Sequence, residues 1–256
     1  MDQGTVVVIE DDADLRNLLV AVLQQSGFEV RAAATGLEGV ALVREQNPVV
    51  VTLDIGLPDI DGHEVLRRIR QASDCYVIML TGRDDEADTL TALQAGADDY
   101  VTKPFRPREL RARVAAMLRR PRAGTQESET QSPAAHTPLR KRSTLHHGAL
   151  VLDSEARTAR LSDAELSLTR SEFDLLQDLM RNVGTVRTKS DLVQVVRGET
   201  PRGGGRGYVS DVDERAIEVH IGNLRRKLGG NARHQPWLLT VRGVGYRLAA
   251  PHPDEE

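Results

Sequence analysis

At 256 residues, 39% hydrophobic but only 3% aromatic, the chain has room for two ordinary domains with aliphatic cores. Its one cysteine, Cys75, rules out an internal disulfide and a cysteine-rich zinc site, and no apolar run approaches membrane-spanning length. The net charge of −4 divides into −5 over residues 1–122 and +3 over residues 145–250. An acidic half suits a metal or phosphate site and a basic half suits nucleic acid, although ordinary solvated surfaces account for the counts equally well. No basic-then-apolar stretch follows Met1, so a cytoplasmic chain with no membrane partner is expected.

Residues 5–120 alternate short apolar runs with amphipathic stretches. The spacing predicts strands at Val6–Ile9, Glu29–Ala33, Val49–Leu53, Tyr76–Leu80 and Asp99–Val101. Between them, apolar residues recur at helical spacing, as in Leu15, Leu18, Leu19, Val22 and Leu23, or Leu110, Val114, Met117 and Leu118. Five strand–helix repeats imply an α/β doubly wound, five-stranded parallel sheet of flavodoxin-like order.

The polar residues that follow these strands carry the chemistry. Val49–Gly62 is a β-branched run that stops at Asp54, followed at once by the turn residues Gly56, Pro58 and Gly62. Glu10 and Asp11 follow the first strand, Thr81 ends the fourth and Lys103 follows the fifth. All fall at carboxyl ends of parallel strands, where such sheets bind ligands. Three crowded carboxylates call for a cation, and an all-oxygen donor set favours Mg²⁺. Lys103 and Thr81 are placed to hold oxygens of a phosphoryl group on Asp54, a carboxylate nucleophile. Taken singly, Glu10 and Asp11 read equally well as acids beside a helix N-terminus, and Tyr100 as a half-buried core residue. Asp12 and Asp14 read as a cap and a first-turn acid, and Cys75 as a small apolar group.

In this order and spacing, I-E-D-D, L-D-I-G-L-P, M-L-T-G-R and Y-V-T-K-P-F resemble the receiver domain of bacterial response regulators. The resemblance implies phosphorylation of Asp54 by a sensor histidine kinase. It implies Mg²⁺ on Glu10, Asp11, Asp54 and the Gly56 carbonyl, Thr81 and Lys103 on the phosphoryl oxygens, Thr81 and Tyr100 as a switch pair, and a cis Lys103–Pro104 peptide. It also implies a symmetric dimer on phosphorylation, through Asp98, Asp99, Glu109, Arg113, Arg119 and Arg120. The fourth helix departs from the pattern, with Thr89 and Thr91 where relatives usually carry a basic residue.

Pro121 to about Leu145 is rich in Pro, Ser, Thr, Gln and charge, with almost no large apolar residues. The domains are accordingly a receiver at 1–121, a flexible linker at 122–145, a second domain at 146–250 and a disordered tail at 251–256. Such a tether predicts two halves that communicate mainly by effective concentration.

In the second half, Leu150–Leu152, Thr158–Leu161 and Ser167–Leu168 read as short strands of an antiparallel platform. Thr169 and Glu172 form a capping box ahead of an apolar helix. A second helix begins near Thr188, and a third spans about Asp213 to Leu228 with a buried stripe at Ile217, Ile221, Leu224 and Leu228. The other face of that third helix shows Arg215, Ala216, Val219, His220, Asn223, Arg226 and Lys227, a mix of small, polar and basic groups suited to a major groove. Trp237–Leu248 reads as a hairpin whose tip presents Arg242 to a minor groove. His220 as a solvated or core-edge histidine, and Arg226 and Lys227 as ordinary helix-end charge, are the plain alternatives.

L-T-R-S-E-F-D-L-L, R-A-I-E-V-H-I-G-N-L-R-R-K-L and L-T-V-R-G-V-G-Y-R-L resemble the α+β winged helix-turn-helix effector of the OmpR/PhoB class. By that resemblance Arg215, His220 and Arg225 contact phosphates or buttress the helix, Asn223 faces bases, and Arg242 is the wing contact. Gly222–Asn223 stands where several relatives have two basic residues. The Gly/Arg-rich loop at 197–211 is long for a segment that faces RNA polymerase in the family. The whole reads as a non-enzymatic transcription factor that binds promoter half-sites. The alternatives are a phosphorylation-independent DNA-binding regulator with a vestigial receiver, and an aspartyl-phosphate enzyme, for which no acid/base partner beside Asp54 is evident.

Overall fold

The structure, a computed structural model, describes residues 4–82, 86–118, 144–198, 209–229 and 237–249. β1 (Thr5–Ile9), α1 (Ala13–Gln24), β2 (Glu29–Ala33), α2 (Gly36–Gln46), β3 (Val50–Asp54), α3 (Gly62–Ala72), β4 (Tyr76–Thr81), α4 (Glu86–Ala95), β5 (Asp99–Thr102) and α5 (Pro107–Leu118) alternate as the periodicity predicts. The five strands form one sheet in the order β2-β1-β3-β4-β5, every pair parallel. Val7, Ile9, Val51, Leu53, Val77 and Met79 face Val40, Val65, Leu66, Ile69 and Leu93 on one side of the sheet. Val6, Val8, Val50, Ile78 and Leu80 face Leu19, Leu23, Leu110 and Val114 on the other. The strand order reverses between β1 and β3, so the segments that follow these two strands open on a shared crevice.

Local signals set the element ends. Asp12 caps α1, its carboxylate accepting the Leu15 N–H at 2.8 Å. Asp61 caps α3 through the His63 N–H at 2.6 Å. Gly62 is required by close approach, since a Cβ there would lie 2.5 Å from the Asp54 carbonyl oxygen.

The second domain opens on an antiparallel sheet of β6 (Thr144–His147), β7 (Leu150–Asp153), β8 (Thr158–Leu161) and β9 (Ala164–Glu165), in that order. Two expectations need correction here. β6 begins inside the range read as linker. The strand expected at Ser167–Leu168 is absent, because those residues lead directly into the Thr169 cap, and the last pairing is β9 with β8.

α6 (Arg170–Arg181), β10 (Arg187–Thr188), α7 (Lys189–Val196), α8 (Asp211–Lys227), β11 (Leu238–Val241) and β12 (Gly245–Leu248) follow. β10 joins the β11–β12 hairpin at β12. α8 starts two residues earlier than its apolar stripe suggests, because Ser210 and Asp213 form a capping box. Ile217, Ile221, Leu224 and Leu228 pack with Phe173, Leu176, Leu192 and Leu248 in one core.

The two domains touch. Val212, Ala216 and Val219 of α8 pack on the receiver-side core that contains Ala92, Leu93 and Tyr100. The expectation of halves that communicate mainly by effective concentration is therefore corrected: apolar α8 side chains find a mate on α4 and β5. Arg119, Arg120, residues 122–143, the loop at 199–208 and the tail at 251–256 lie outside the described residues. No helix among the described residues is long and apolar enough to cross a membrane.

Candidate functional site

β1 and β3 end side by side, and their register carries Glu10, Asp11 and Asp54 to one place. A ligand oxygen from each lies within 4.8 Å of the others. Asp54 is only 7% exposed and Glu10 is fully buried, while Asp11 is exposed. The Asp54 Oδ1 accepts the Ile55 N–H at 2.9 Å and lies 2.7 Å from Lys103 Nζ. Lys103 also donates to Glu10 Oε1 at 3.0 Å. Its Nζ is 2.9 Å from Glu10 Oε2, but off the hydrogen-bonding direction, so that buried oxygen has electrostatic contact without a donor. The Lys103–Pro104 peptide is cis, as expected, and the Lys103 N–H donates to the Thr81 carbonyl at 2.6 Å.

Burial drives the Glu10 carboxyl above its ordinary pKa, and the Asp54 charge adds to the rise against the Lys103 hydrogen bond. Burial alone would lower the Lys103 pKa, but hydrogen bonds to Asp54 and Glu10 outweigh it and hold the ammonium charged. An all-oxygen set with an unsatisfied buried carboxylate oxygen fits a hard divalent cation such as Mg²⁺. Gly56 adjoins the same carboxylate: a Cβ there would lie 3.8 Å from Asp54 Oδ2.

Thr81, buried, follows Leu80, the register partner of Asp54, and its hydroxyl donates to the Gly82 carbonyl at 3.2 Å. Tyr100 is buried on β5 opposite Met79. Its phenol is pushed upward by burial and by the negative charges of Asp99 and Asp213.

Two supporting residues escape local sequence reading. Arg16 Nη1 donates to the Glu10 and Asp11 carbonyls at 2.8 and 2.9 Å, fixing the turn after β1. Asp59 accepts the Gly36 and Leu37 N–H groups at 2.7 and 2.8 Å, tying the loop after β3 to the N-terminus of α2. Desolvation alone would raise the Asp59 pKa, but these backbone hydrogen bonds carry it below the usual range. The Asp59 partners lie far upstream in the chain, so only the topology reveals them.

The expected nucleic-acid face divides. Arg215 and Arg226 are exposed on α8, and Arg242 is exposed with Gly243 and Val244 in the turn between β11 and β12. Arg225 turns inward to its own domain, donating to the Leu238 carbonyl at 3.1 and 3.2 Å and to Thr240 Oγ1 at 2.6 Å, with its guanidinium over the Tyr246 ring. It is a buttress between helix and hairpin. Lys227 pairs with the buried Glu172 carboxylate at 2.6 Å.

Three expected readers are not displayed. Val219 packs on the receiver core, and His220 is 1% exposed. Asn223 is 3% exposed, donating Nδ2 to the Leu93 carbonyl at 3.0 Å while its Oδ1 accepts from Arg226 at 2.9 Å. In this arrangement they face protein, because α4 and β5 cover that side of α8.

The expected dimer charges are likewise engaged within the chain. Asp98 is buried, 2.6 Å from Arg70 Nη2, and accepts the Val77 N–H at 3.0 Å and the Ser171 N–H at 2.9 Å. Arg113 lies 2.9 Å from Asp99 and 3.1 Å from Glu109, and the Asp99 charge raises its pKa.

Residues 6–115 match the model of the response regulator receiver domain, and residues 163–248 match that of the C-terminal domain of transcriptional regulatory proteins. Transcriptional regulatory protein AfsQ1 of Streptomyces coelicolor is 37% identical over 247 residues, covering 96% of this chain and 99% of that protein. The alkaline phosphatase synthesis transcriptional regulatory protein PhoP of Bacillus subtilis is 34% identical over 251 residues, covering 98% of each. A solved mutant of RitR shares the fold with a TM-score of 0.71 at 22% identity, covering 96% of this chain and 99% of that one.

Proposed function

The chain belongs to the two-component response regulators of OmpR/PhoB type, a receiver joined to a DNA-binding domain, and on that premise we propose how its residues carry the signal. Asp54 is the phosphoacceptor. Its Oδ1 is held by Ile55 and Lys103, and its Oδ2, on the Gly56 side, attacks the phosphorus of a phosphohistidine on a sensor histidine kinase, whose imidazole leaves as the acyl phosphate forms. Glu10, Asp11, Asp54 and the Gly56 carbonyl hold Mg²⁺, which when bound offsets charge on the transferring group. Lys103 exchanges its carboxylate contacts for a phosphoryl oxygen, and the Thr81 hydroxyl leaves the Gly82 carbonyl to donate to another. Tyr100 is the second member of this switch. The activated chain dimerises through the α4–β5–α5 face and binds paired promoter half-sites in the cytoplasm. Arg215, Val219, His220, Asn223, Arg226 and Lys227 meet DNA from α8, Arg242 meets it from the wing, and RNA polymerase is the partner at the promoter.

The observation that carries this reading is the Glu10–Asp11–Asp54 cluster with Lys103 Nζ 2.7 Å from the acceptor. Incubation with acetyl phosphate and Mg²⁺ followed by mass spectrometry is expected to find one acid-stable, base-labile phosphoryl adduct on Asp54, absent from Asp54→Ala. An adduct elsewhere, or none, sinks the assignment.

A further inference from the structure

The two acids after β1 are consecutive, and consecutive side chains of a strand point to opposite faces. Glu10 and Asp11 nevertheless bring a carboxylate oxygen each to within 4.8 Å of one on Asp54. The chain bends between the elements: β1 stops at Ile9, Asp11 sits in the bend and α1 starts at Ala13. The convergence of the two acids is therefore a property of this bend and not of the strand.

The three carboxylates are held in different ways. Asp54 accepts the Ile55 N–H and lies against Lys103 Nζ. Glu10 is buried and accepts from the same ammonium. Asp11 is exposed, and no hydrogen bond or ion pair reaches its carboxylate from the described residues. Its direction is set by its main chain alone.

That main chain is clamped. Upstream, the Glu10 N–H donates to the Ala33 carbonyl on β2 at 3.1 Å. Downstream, Asp12 caps α1 through the Leu15 N–H, and the Arg16 N–H donates to the Asp12 carbonyl at 2.9 Å. Across the bend, a single nitrogen, Arg16 Nη1, serves both the Glu10 and the Asp11 carbonyls. A guanidinium holds its N–H groups in one rigid plane, so one nitrogen can bond two successive carbonyls only where they point the same way. Extended chain points them apart. The Arg16 side chain thus selects the bent backbone.

We infer that Arg16 is a positioning residue for the metal: by holding these two carbonyls together it keeps the Asp11 carboxylate turned toward the cation, and so sets the affinity of the pocket for Mg²⁺. The inference deepens the proposed Mg²⁺ site and rests on it. Arg16 touches no carboxylate of the cluster, so it competes with the cation for none of the ligand oxygens. Its positive charge, by itself, opposes a cation nearby. Clamp and charge therefore predict opposite signs when the side chain is removed. The clamp is the larger effect, because the charge is half-exposed to water and screened, whereas a partner that orients a ligand is typically worth about 10–100-fold in metal affinity.

Calorimetric titration of Mg²⁺ into the full-length, unphosphorylated protein reads the sign directly. Arg16→Met keeps the apolar stem and loses both donors and charge. It is expected to raise the Mg²⁺ dissociation constant at least about tenfold. Arg16→Gln, whose amide is too short to span both carbonyls, is expected to do the same and covers the case in which the methionine variant folds poorly. Arg16→Lys, which restores charge and several donors, is expected to recover most of the loss. Labelling of Asp54 by acetyl phosphate is expected to need correspondingly more Mg²⁺ in Arg16→Met but to reach the wild-type rate at saturation, since Lys103 and Thr81 are unaltered. A merely structural role would instead lower the urea midpoint measured without Mg²⁺, which is expected to stay close to that of the wild type.

A dissociation constant that is unchanged or lower in both Arg16→Met and Arg16→Gln overturns the clamp, and so does a fall in the saturated labelling rate with the constant unmoved. A wild type that takes up no Mg²⁺ removes the metal site itself, and this inference with it. A wild type that binds and variants that bind equally remove the inference alone.

Discussion

The pocket around Asp54 and the outer side of α8 are built in opposite ways. In the pocket, each polar residue sits at the end of its own strand, so a parallel sheet of ordinary register brings Glu10, Asp54, Thr81 and Lys103 together whatever lies beyond it. On α8, the residues of the outer side are equally plain in sequence, but what they meet depends on which surface docks there. Here that surface is the receiver. A site at strand ends is set by topology, whereas a site on a helix face belongs to whichever partner covers it.

The sharpest test of that contrast is on the pocket side. Asp54→Ala is expected to abolish phosphoryl labelling completely while leaving the fold intact, since Asp54 ends its strand and its loss relieves crowding of like charges. A phosphoryl adduct persisting on Asp11 or elsewhere in that variant would mean that the pocket tolerates more than one acceptor.

On the effector side the expected effects are smaller. Arg242 is exposed at the wing tip. Arg242→Ala is expected to weaken promoter binding by about 1–3 kcal/mol, read by titration of labelled DNA, with a reduced slope against salt if its contact is to phosphate. An unchanged affinity would remove the wing from the DNA contact.

Smaller again is the support from Asp59, a carboxylate that caps α2 from across the loop. Asp59→Ala is expected to cost about 1 kcal/mol of unfolding free energy, seen as a lower urea midpoint with unchanged slope. A neutral result would show that water replaces the cap.

A last effect is one of pH. Burial lowers the His220 pKa below 6.5, against the opposing charges of Glu172, Asp98 and Asp99, while Arg113 and Arg197 also line its surroundings. A histidine buried neutral binds fewer protons than its unfolded counterpart between its depressed folded pKa and 6.5. Its contribution is therefore whole above pH 6.5 and is lost as the pH falls below it. Stability is expected to fall between about pH 7 and about pH 5.5 by no more than about 1.4 kcal/mol per pH unit, and His220→Asn is expected to flatten that slope. A slope unaltered by the substitution would place the titrating group elsewhere.

Much of this was legible in the chain itself, and the exceptions share a cause. The Thr169–Glu172 capping box and the Asp12 cap are local, and both stand as read. The five receiver strands are found within a residue of their predicted limits, because alternating strand and helix periods are local too. α8 begins two residues before its expected start, since Ser210 and Asp213 mark it and the apolar stripe does not. Arg225 could be read as either a DNA contact or a buttress, and only the position of β11 makes it a buttress. Arg16 and Asp59 bond to backbone groups of other segments, and no side-chain pattern announces such a bond.

The order of residues alone settled the doubly wound sheet and the cluster of acids with its lysine, because these follow from periodicity and from what stands at the end of each strand. The family and its winged-helix domain rest on the likeness of whole motifs. Tertiary structure alone decided that Val219, His220 and Asn223 face protein and that Asp98 caps a helix of the other domain. The physical reason is that a polar or apolar surface specifies the chemistry of a partner but not its identity, and two such surfaces on one chain are available to each other first.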